Sequence, residues 1–182
     1  AVTFNGAGGA WTLGGAFTVN SPTGITVTAG TFSTSASNYA ITTNRITVSG
    51  GTLTLNGSTC SLSGALAFSY TSGTFNAGTS QINTTAANSF SGGGQTFYNV
   101  SFTSSTATPT ISGANTFNNL SFTGNTVAGV NNVIFNANQA INGTLTVSAG
   151  SNAATRTFFQ SNAIGTAVTL TCAAVSFTDT DF

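Results

Sequence analysis

Residues 95–103 read QTFYNVSFT, and residues 115–123 repeat them as NTFNNLSFT. Both copies keep a Thr-Phe opening, a central Asn and a closing Ser-Phe-Thr. Self-similarity at a short fixed period is typical of proteins that stack one structural unit on the next. The pair therefore predicts a repeat architecture, with one unit in every period of about 20 residues.

A series of threonines extends this repeat along most of the chain. Five of the six steps between successive members are nearly equal, at about 20–22 residues, whereas the step from Thr116 to Thr144 is longer. The excess predicts a loop insertion of about six to eight residues, which we place at residues 127–132. The predicted anchors of the repeat are Thr31, Thr52, Thr74, Thr96, Thr116, Thr144 and Thr166.

Composition and periodicity predict an all-β chain. Apolar and polar residues alternate in short segments such as residues 25–28, and Glu, Lys and Met, which favour helices, are absent. Two architectures accommodate short strands at this spacing. One is a parallel β-helix (β-solenoid) with coils of about 20–22 residues, and the alternative is a β-sandwich.

Stacking of equivalent side chains favours the solenoid. In a parallel solenoid each side chain lies about 4.8 Å from its equivalent in the next coil, so equivalent positions keep matching chemistry. Phe97 and Phe117 meet this condition, as do Asn99 and Asn119. We expect the phenylalanines to fill the core and the asparagines to exchange amide hydrogen bonds at a corner. The sequence predicts a single solenoid domain over residues 1–182, either a segment of a longer chain or a fibre-forming subunit.

Charged residues are nearly absent, which limits the possible chemistry. The sequence has no His, Glu or Lys, and its charged side chains are Arg45, Arg156, Asp179 and Asp181. General acid–base catalysis therefore has almost no candidates, and we predict a protein that is not an enzyme and has no cofactor. The two aspartates share one face of a strand and have the spacing to hold one cation, but the simpler interpretation is a solvated chain end without a metal site.

Charge and hydropathy also exclude two classes of partner. The formal net charge is zero, so no basic patch for nucleic acid is expected. No apolar run approaches the length of a transmembrane helix, so no membrane insertion is expected. Residues 92–94, three consecutive glycines, are interpreted as a turn between coils rather than a phosphate-binding loop.

Cysteine positions provide a test of the predicted register. Cys60 and Cys172 fall five coils apart in the threonine series, which separates them by roughly 24 Å along the axis. A disulfide needs Cα atoms within about 7 Å of each other. We therefore predict two free cysteines, each a small packing residue.

Two kinds of side chain suggest binding functions. Trp11, Tyr39, Tyr70 and Tyr98 are able to stack on sugar rings if exposed, although packing in the core or at an end is the simpler role. Four Thr-x-Thr pairs resemble the hydroxyl array of β-solenoid ice-binding proteins, but no pair is present in the two central repeats, which makes this the less favoured hypothesis. The pairs are Thr26/Thr28, Thr52/Thr54, Thr144/Thr146 and Thr169/Thr171.

Several segments resemble a known class of repeat protein. They are the two copies at residues 94–102 and 115–123, the polar turn FQSN at residues 159–162, and LTCAAVSFTD at residues 170–179. These are similar to Gly/Thr/Asn-rich repeats in virion proteins of tailed phages and in extracellular surface and filament proteins of bacteria. The similarity covers residues 70–182 best, and that class supplies no catalytic residues to transfer.

The resemblance implies a structural or adhesive protein outside the cell. The leading hypothesis is a β-solenoid component of a phage virion, as a tail fibre, spike or surface protein, or of an extracellular filament. Its expected partners are copies of itself, associated end to end or laterally. The alternative is a carbohydrate-binding cell-surface adhesin, whose partners are surface glycans. The expected location is extracellular or on the virion surface.

Overall fold

The chain folds entirely into β-strands. A computed structural model describes residues 1–86, 89–124, 126, 128–148, 150 and 154–181, and within these residues it contains 17 strands and no helix. The strands form one 9-stranded and one 8-stranded sheet. The first sheet contains β1 (Val2–Thr12), β3 (Ile25–Ser33), β5 (Ile46–Thr54), β7 (Leu66–Asn76), β9 (Ser89–Ser91), β11 (Thr110–Ser112), β13 (Gly129–Phe135), β15 (Thr155–Ser161) and β17 (Thr180–Asp181).

The second sheet takes the strands that alternate with these along the chain. They are β2 (Phe17–Val19), β4 (Ile41–Thr43), β6 (Thr59–Leu62), β8 (Gln81–Thr84), β10 (Thr96–Phe102), β12 (Thr116–Phe122), β14 (Gln139–Val147) and β16 (Leu170–Phe177). Each strand pairs in parallel with the strand two places away in the chain, as in β10 with β12. The chain therefore winds through eight coils, one for each strand of the 8-stranded sheet, and β17 begins a further coil.

This topology confirms the predicted parallel β-solenoid. A β-sandwich pairs its strands antiparallel across hairpins, whereas every pairing among the described strands is parallel, so the sandwich alternative is wrong. The crossing from one sheet to the other occurs within each coil, and the core lies between the sheets.

Each coil consists of three runs of strand residues, which we call the first, second and third runs. In the second coil they are residues 25–28, 31–33 and 41–43, and the first two belong to the same strand, β3. Val27 and Phe32 in these two runs are both buried although they are five residues apart. An odd separation between inward side chains means that the strand bends or bulges between them.

The second run changes sheets halfway along the solenoid. In coils 1–4 it continues the first run, so β1, β3, β5 and β7 are long. In coils 5–8 it precedes the third run, so β10, β12, β14 and β16 are long instead. Gly92, Gly93 and Gly94 form the turn between β9 and β10, in the first coil whose second run belongs to the other sheet. The predicted glycine turn is therefore present, but it lies within one coil rather than between coils.

The core consists of apolar columns that run parallel to the axis. One column of the third runs passes through all eight coils without interruption: Phe17, Ile41, Cys60, Ile82, Val100, Leu120, Leu145 and Val175. The columns become aromatic near the middle, where Phe90 contacts the rings of four other phenylalanines. These are Phe68, Phe97, Phe102 and Phe117.

Two of the steps from coil to coil are longer than the others, whereas the sequence predicted one long step. Thr116 pairs with Ala140 in the next coil, and Ala140 pairs with Thr171, so both of these steps exceed the ordinary period. In the first of these steps the extra residues lie between Phe122 and Ile134, which pair with Phe102 and Thr110 of the preceding coil, and in the second most of them lie between β15 and β16. Residues 129–132 of the predicted insertion lie within this segment, but they extend the beginning of β13 instead of forming a loop. Val127 lies outside the described residues.

Candidate functional site

Five of the seven predicted threonine anchors stack in register, in two groups. Thr31 pairs with Thr52, which pairs with Thr74, and Thr96 pairs with Thr116. All five lie in second runs. The two groups belong to different sheets, so the single ladder expected from the sequence is divided between Thr74 and Thr96.

The last two anchors, Thr144 and Thr166, do not join the ladder. Thr144 follows the bend of β14 and pairs with Ala174 at the beginning of the third run. Thr166 lies in the loop between β15 and β16, where it lines a pocket of about 380 Å³. The ladder positions are taken by Ala140 and Thr171 instead. The Gly-Thr-apolar pattern also occurs at bends and loops, which explains why the predicted register is wrong at these two positions.

The Phe and Asn ladders have the predicted geometry. The Phe97 and Phe117 rings stack with centroids 5.5 Å apart and an interplanar angle of 22°. Asn119 Nδ2 donates to Asn99 Oδ1 at 3.0 Å, so an amide hydrogen bond does run along the axis at a bend. In the following coil the backbone N–H of Thr144 donates to Asn119 Oδ1 at 2.8 Å, which extends the ladder by one coil.

An open groove crosses the surface where the threonine ladder is divided. Its two edges are residues 74–76 of β7 and residues 96–98 of β10. β7 pairs with β9 only from Leu66 to Ser69, and β10 pairs with β8 only from Asn99 onward, so no strand pairing joins the two edges. The groove has a volume of about 350 Å³. Its lining residues are Phe75, Ala77, Gly78, Thr96, Phe97, Tyr98, Asn118 and Asn142.

The groove combines an aromatic floor with polar edges. Phe75 and Phe97 are buried, and their ring centroids lie 5.0 Å apart, so the core column continues beneath the break. Tyr98 is 36 % exposed, and Thr96 and Asn142 are also exposed. The sequence did not predict this groove. One feature of the sequence does mark the position of the groove. Thr74 is preceded by a glycine, whereas Thr96 is preceded by Gln95, which directly follows the three glycines.

Of the two aspartates, Asp181 forms an ion pair with Arg156. Arg156 Nε donates to Asp181 Oδ2 at 2.9 Å, and Arg156 also contacts Asp181 Oδ1. The hydrogen bond from Arg156 and its positive charge lower the pKa of Asp181. The hydrogen bond to Asp181 and the negative charge of Asp181 raise the pKa of Arg156. The described residues contain no group of three or more His, Cys, Asp or Glu side chains arranged to hold a metal ion.

Cys60 and Cys172 are both free thiols, as predicted. They lie on β6 and β16, which are separated by five strand spacings in the second sheet. Burial raises the pKa of the Cys60 thiol to about 12 and also raises the pKa of Cys172. Cys60 therefore serves as an apolar core residue at neutral pH.

The aromatic candidates for sugar stacking have different environments. Trp11 packs against Phe4 in the first coil, with ring centroids 5.3 Å apart. The Tyr70 hydroxyl donates to the backbone oxygen of Gly73 at 2.7 Å. Tyr39 is partly buried beside a turn, whereas Tyr98 is exposed in the groove.

The four Thr-x-Thr pairs do not stack into one array. Thr26/Thr28 belong to a first run and Thr52/Thr54 to a second run, while Thr144/Thr146 lie at a bend and in a third run. Thr169 precedes β16, which begins one residue before Thr171. The regular surface that the ice-binding hypothesis needs is therefore not formed by these pairs.

The part of the chain that the structure describes contains no helix long and apolar enough to cross a membrane. No protein-family model matches the sequence, and no curated protein or solved structure is significantly similar to it.

Proposed function

We propose that this protein is a non-enzymatic structural β-solenoid that assembles end to end with copies of itself, as a component of a phage virion or of an extracellular filament. The supporting observation is that its apolar columns continue to the strand edges of both terminal coils. Unpaired strand edges are templates for pairing with another chain. The proposed location is the extracellular space or the virion surface.

The first coil presents one of these edges. On β1 and β2, the end strands of the two sheets, the inward residues Phe4, Trp11 and Phe17 are only partly buried. The last coil presents the other edge, on β16, where Leu170 and Cys172 are partly buried and Val175 is 59 % exposed. Covering such side chains is worth roughly 25 cal/mol per Å² of apolar surface removed from water.

The internal register supports one arrangement of two copies. Phe17 and Val175 are the two ends of the same third-run column, so a second copy that continues this column would place its Phe17 over Val175, with its β1 taking the place of β17 beside β15. The outward positions of β16 are Thr, Ala and Ser. Neutral side chains avoid the repulsion that like charges suffer when they repeat at one strand spacing.

A non-enzymatic role agrees with the chemistry of the described residues. Asp181 is paired with Arg156, and the free thiol of Cys60 is buried and protonated. The abundant hydroxyl groups have no histidine or glutamate beside them in the sequence to act as a base.

Electron microscopy and sedimentation velocity of the chain of residues 1–182 test the proposal. We expect rods that lengthen with protein concentration. Val175→Lys places a charge on the end surface and should leave only single particles. Val130→Lys is the matched control, because Val130 is equally exposed at 58 % but lies in β13, which belongs to neither of the two end surfaces. Single particles of the unmodified chain at every concentration, or equal effects of the two variants, would contradict end-to-end assembly.

A further inference from the structure

The groove between coils 4 and 5 is too narrow to take another strand. The floor rings of Phe75 and Phe97 have centroids 5.0 Å apart, which is close to a single strand spacing of about 4.8 Å. Inserting an extended peptide between the two edges requires about twice that distance. The unpaired edges therefore do not form a site for strand addition. A ligand has to bind on the surface of the groove, above the two edges, rather than between them.

A ligand of this groove has to be uncharged. None of the four charged side chains of the sequence lines it. An ionised ligand would lose hydration on the aromatic floor without gaining an opposite charge, which is unfavourable. Nucleotides, acidic sugars and charged peptides are disfavoured on this ground.

The polar groups at the edges both donate and accept hydrogen bonds. Thr96 supplies a hydroxyl, and Asn118 and Asn142 supply amides. Asn118 Nδ2 donates to Asn99 Oδ1 at 3.3 Å, which leaves the Asn118 oxygen available. In the described part of the chain the Asn142 amide has no hydrogen-bond partner. Sugar hydroxyls also donate and accept hydrogen bonds, so they are complementary to these hydroxyl and amide groups.

Tyr98 supplies a flat apolar surface beside these groups. It is the only aromatic residue among the exposed large apolar side chains of the described residues. A tyrosine ring is rigid and combines an apolar face with a polar tip. The volume of about 350 Å³ lies within the range of small-molecule sites, roughly 300–1,000 Å³. From these features together we infer that the groove binds a neutral saccharide, stacked on Tyr98 and hydrogen-bonded by Thr96, Asn118 and Asn142.

The inference does not depend on end-to-end assembly, because the groove lies in the middle of the solenoid. The test is an array of immobilised neutral and acidic oligosaccharides, followed by titration calorimetry with the strongest neutral binder. We expect binding to a subset of the neutral members. Tyr98→Ala should weaken it at least tenfold, and Thr96→Phe should weaken it similarly by filling the groove while Tyr98 is retained.

Tyr39→Ala is the matched control and should bind as the unmodified protein does, since Tyr39 is outside the groove. Asn142→Ala is the mildest change, on an exposed side chain, and should weaken binding severalfold even if a larger substitution impairs folding. Circular dichroism checks the fold of each variant. The inference is overturned if no neutral saccharide binds, if acidic members bind in preference, or if Tyr98→Ala and Tyr39→Ala behave alike. A peptide ligand competing for the same groove would also overturn it.

Discussion

The first four coils and the last four build the same stack with different bends. In coils 2–4 the bend between the first and second runs contains a column of glycines in backbone contact. A Cβ on Gly51 would lie 2.7 Å from the Gly30 oxygen, and a Cβ on Gly73 would lie 2.4 Å from the Gly51 oxygen. Adjacent coils touch here through main-chain atoms, so no side chain fits between them.

In coils 5–7 buried amides take over this role. Asn115 Oδ1 accepts from the backbone N–H of Gly94 at 3.0 Å, and Asn115 Nδ2 donates to Gln139 Oε1 at 3.1 Å. Gln139 Nε2 in turn donates to the Gly113 oxygen at 2.8 Å. Gly92 is required beneath them, because a Cβ there would lie 2.3 Å from Asn115 Oδ1.

The two solutions have different sensitivities. Adding atoms to the glycine column should destabilise the fold, because there is no space for a side chain. Removing atoms from the amide column should destabilise it, because buried donors lose their acceptors. The core residues also change along the axis, one coil earlier: the large inward residues of coils 2 and 3 are mostly aliphatic, and those of coils 4–6 are mostly phenylalanine. The groove lies at the junction between the two kinds of coil.

The largest expected effect concerns the aromatic core of coils 4–6. Phe90→Ala should lower the free energy of unfolding by about 3–5 kcal/mol, because it leaves a cavity among four rings. Leu53→Ala in coil 3, where the core is aliphatic, should lower the free energy of unfolding less, by about 2–3 kcal/mol. Urea denaturation measures both. Ile164→Ala, on a fully exposed side chain, should change stability by less than about 0.5 kcal/mol. A larger loss for Leu53→Ala would remove the distinction between the two cores.

The glycine column should show the next largest effect. Gly51→Ala is expected to destabilise the protein by about 2–3 kcal/mol, since the added methyl meets backbone atoms that cannot move aside. Gly14→Ala is the matched control, because a Cβ on Gly14 has nothing within 4 Å. Equal urea midpoints for the two variants would show that the bends of the first half tolerate side chains.

The amide column should be somewhat less sensitive. Asn115→Ala is expected to cost about 1–2 kcal/mol, because the Gly94 N–H loses its acceptor and Gln139 Oε1 loses a donor in a buried site. Asn162→Ala, at an exposed position, should be nearly neutral. The same urea measurement applies, and a neutral Asn115→Ala would mean that these amides are not needed to hold the second half together.

The smallest effect is expected from pH, at the last coil. Arg156 lowers the pKa of Asp181, so the ion pair stabilises the folded state above the usual aspartate range and this contribution is lost as pH falls below about 4. The pair is exposed, so the change in thermal midpoint should be slight and should shrink in high salt. The midpoint should be nearly constant between about pH 5 and 8, since the sequence has no histidine. If Asp181→Asn loses as much stability at acid pH as the unmodified protein does, another group causes the loss.

Local periodicity was sufficient to predict the solenoid and its best-preserved level. Phe97 with Phe117 and Asn99 with Asn119 were predictable, because a side chain and its equivalent one coil away must fit the same space. Thr144 and Thr166 were misassigned because glycine followed by threonine is equally suited to a bend. The groove was not predictable in the same way. It arises where the second run leaves one sheet and joins the other, and this exchange depends on pairing between distant strands rather than on any local pattern.

The divided threonine ladder also determines how the molecule responds to load. Considered as a mechanical element, the solenoid is a rod whose successive coils are tied along three runs at every described junction except the one between coils 4 and 5. There the second-run side carries no backbone ties, so the rod is most compliant to bending that opens the groove. We expect curvature in single-particle images to concentrate at the midpoint of the rod, and a uniformly bent rod would contradict this. The short glycine-rich segment around Gly92 is therefore the place where we expect the rod to bend most easily.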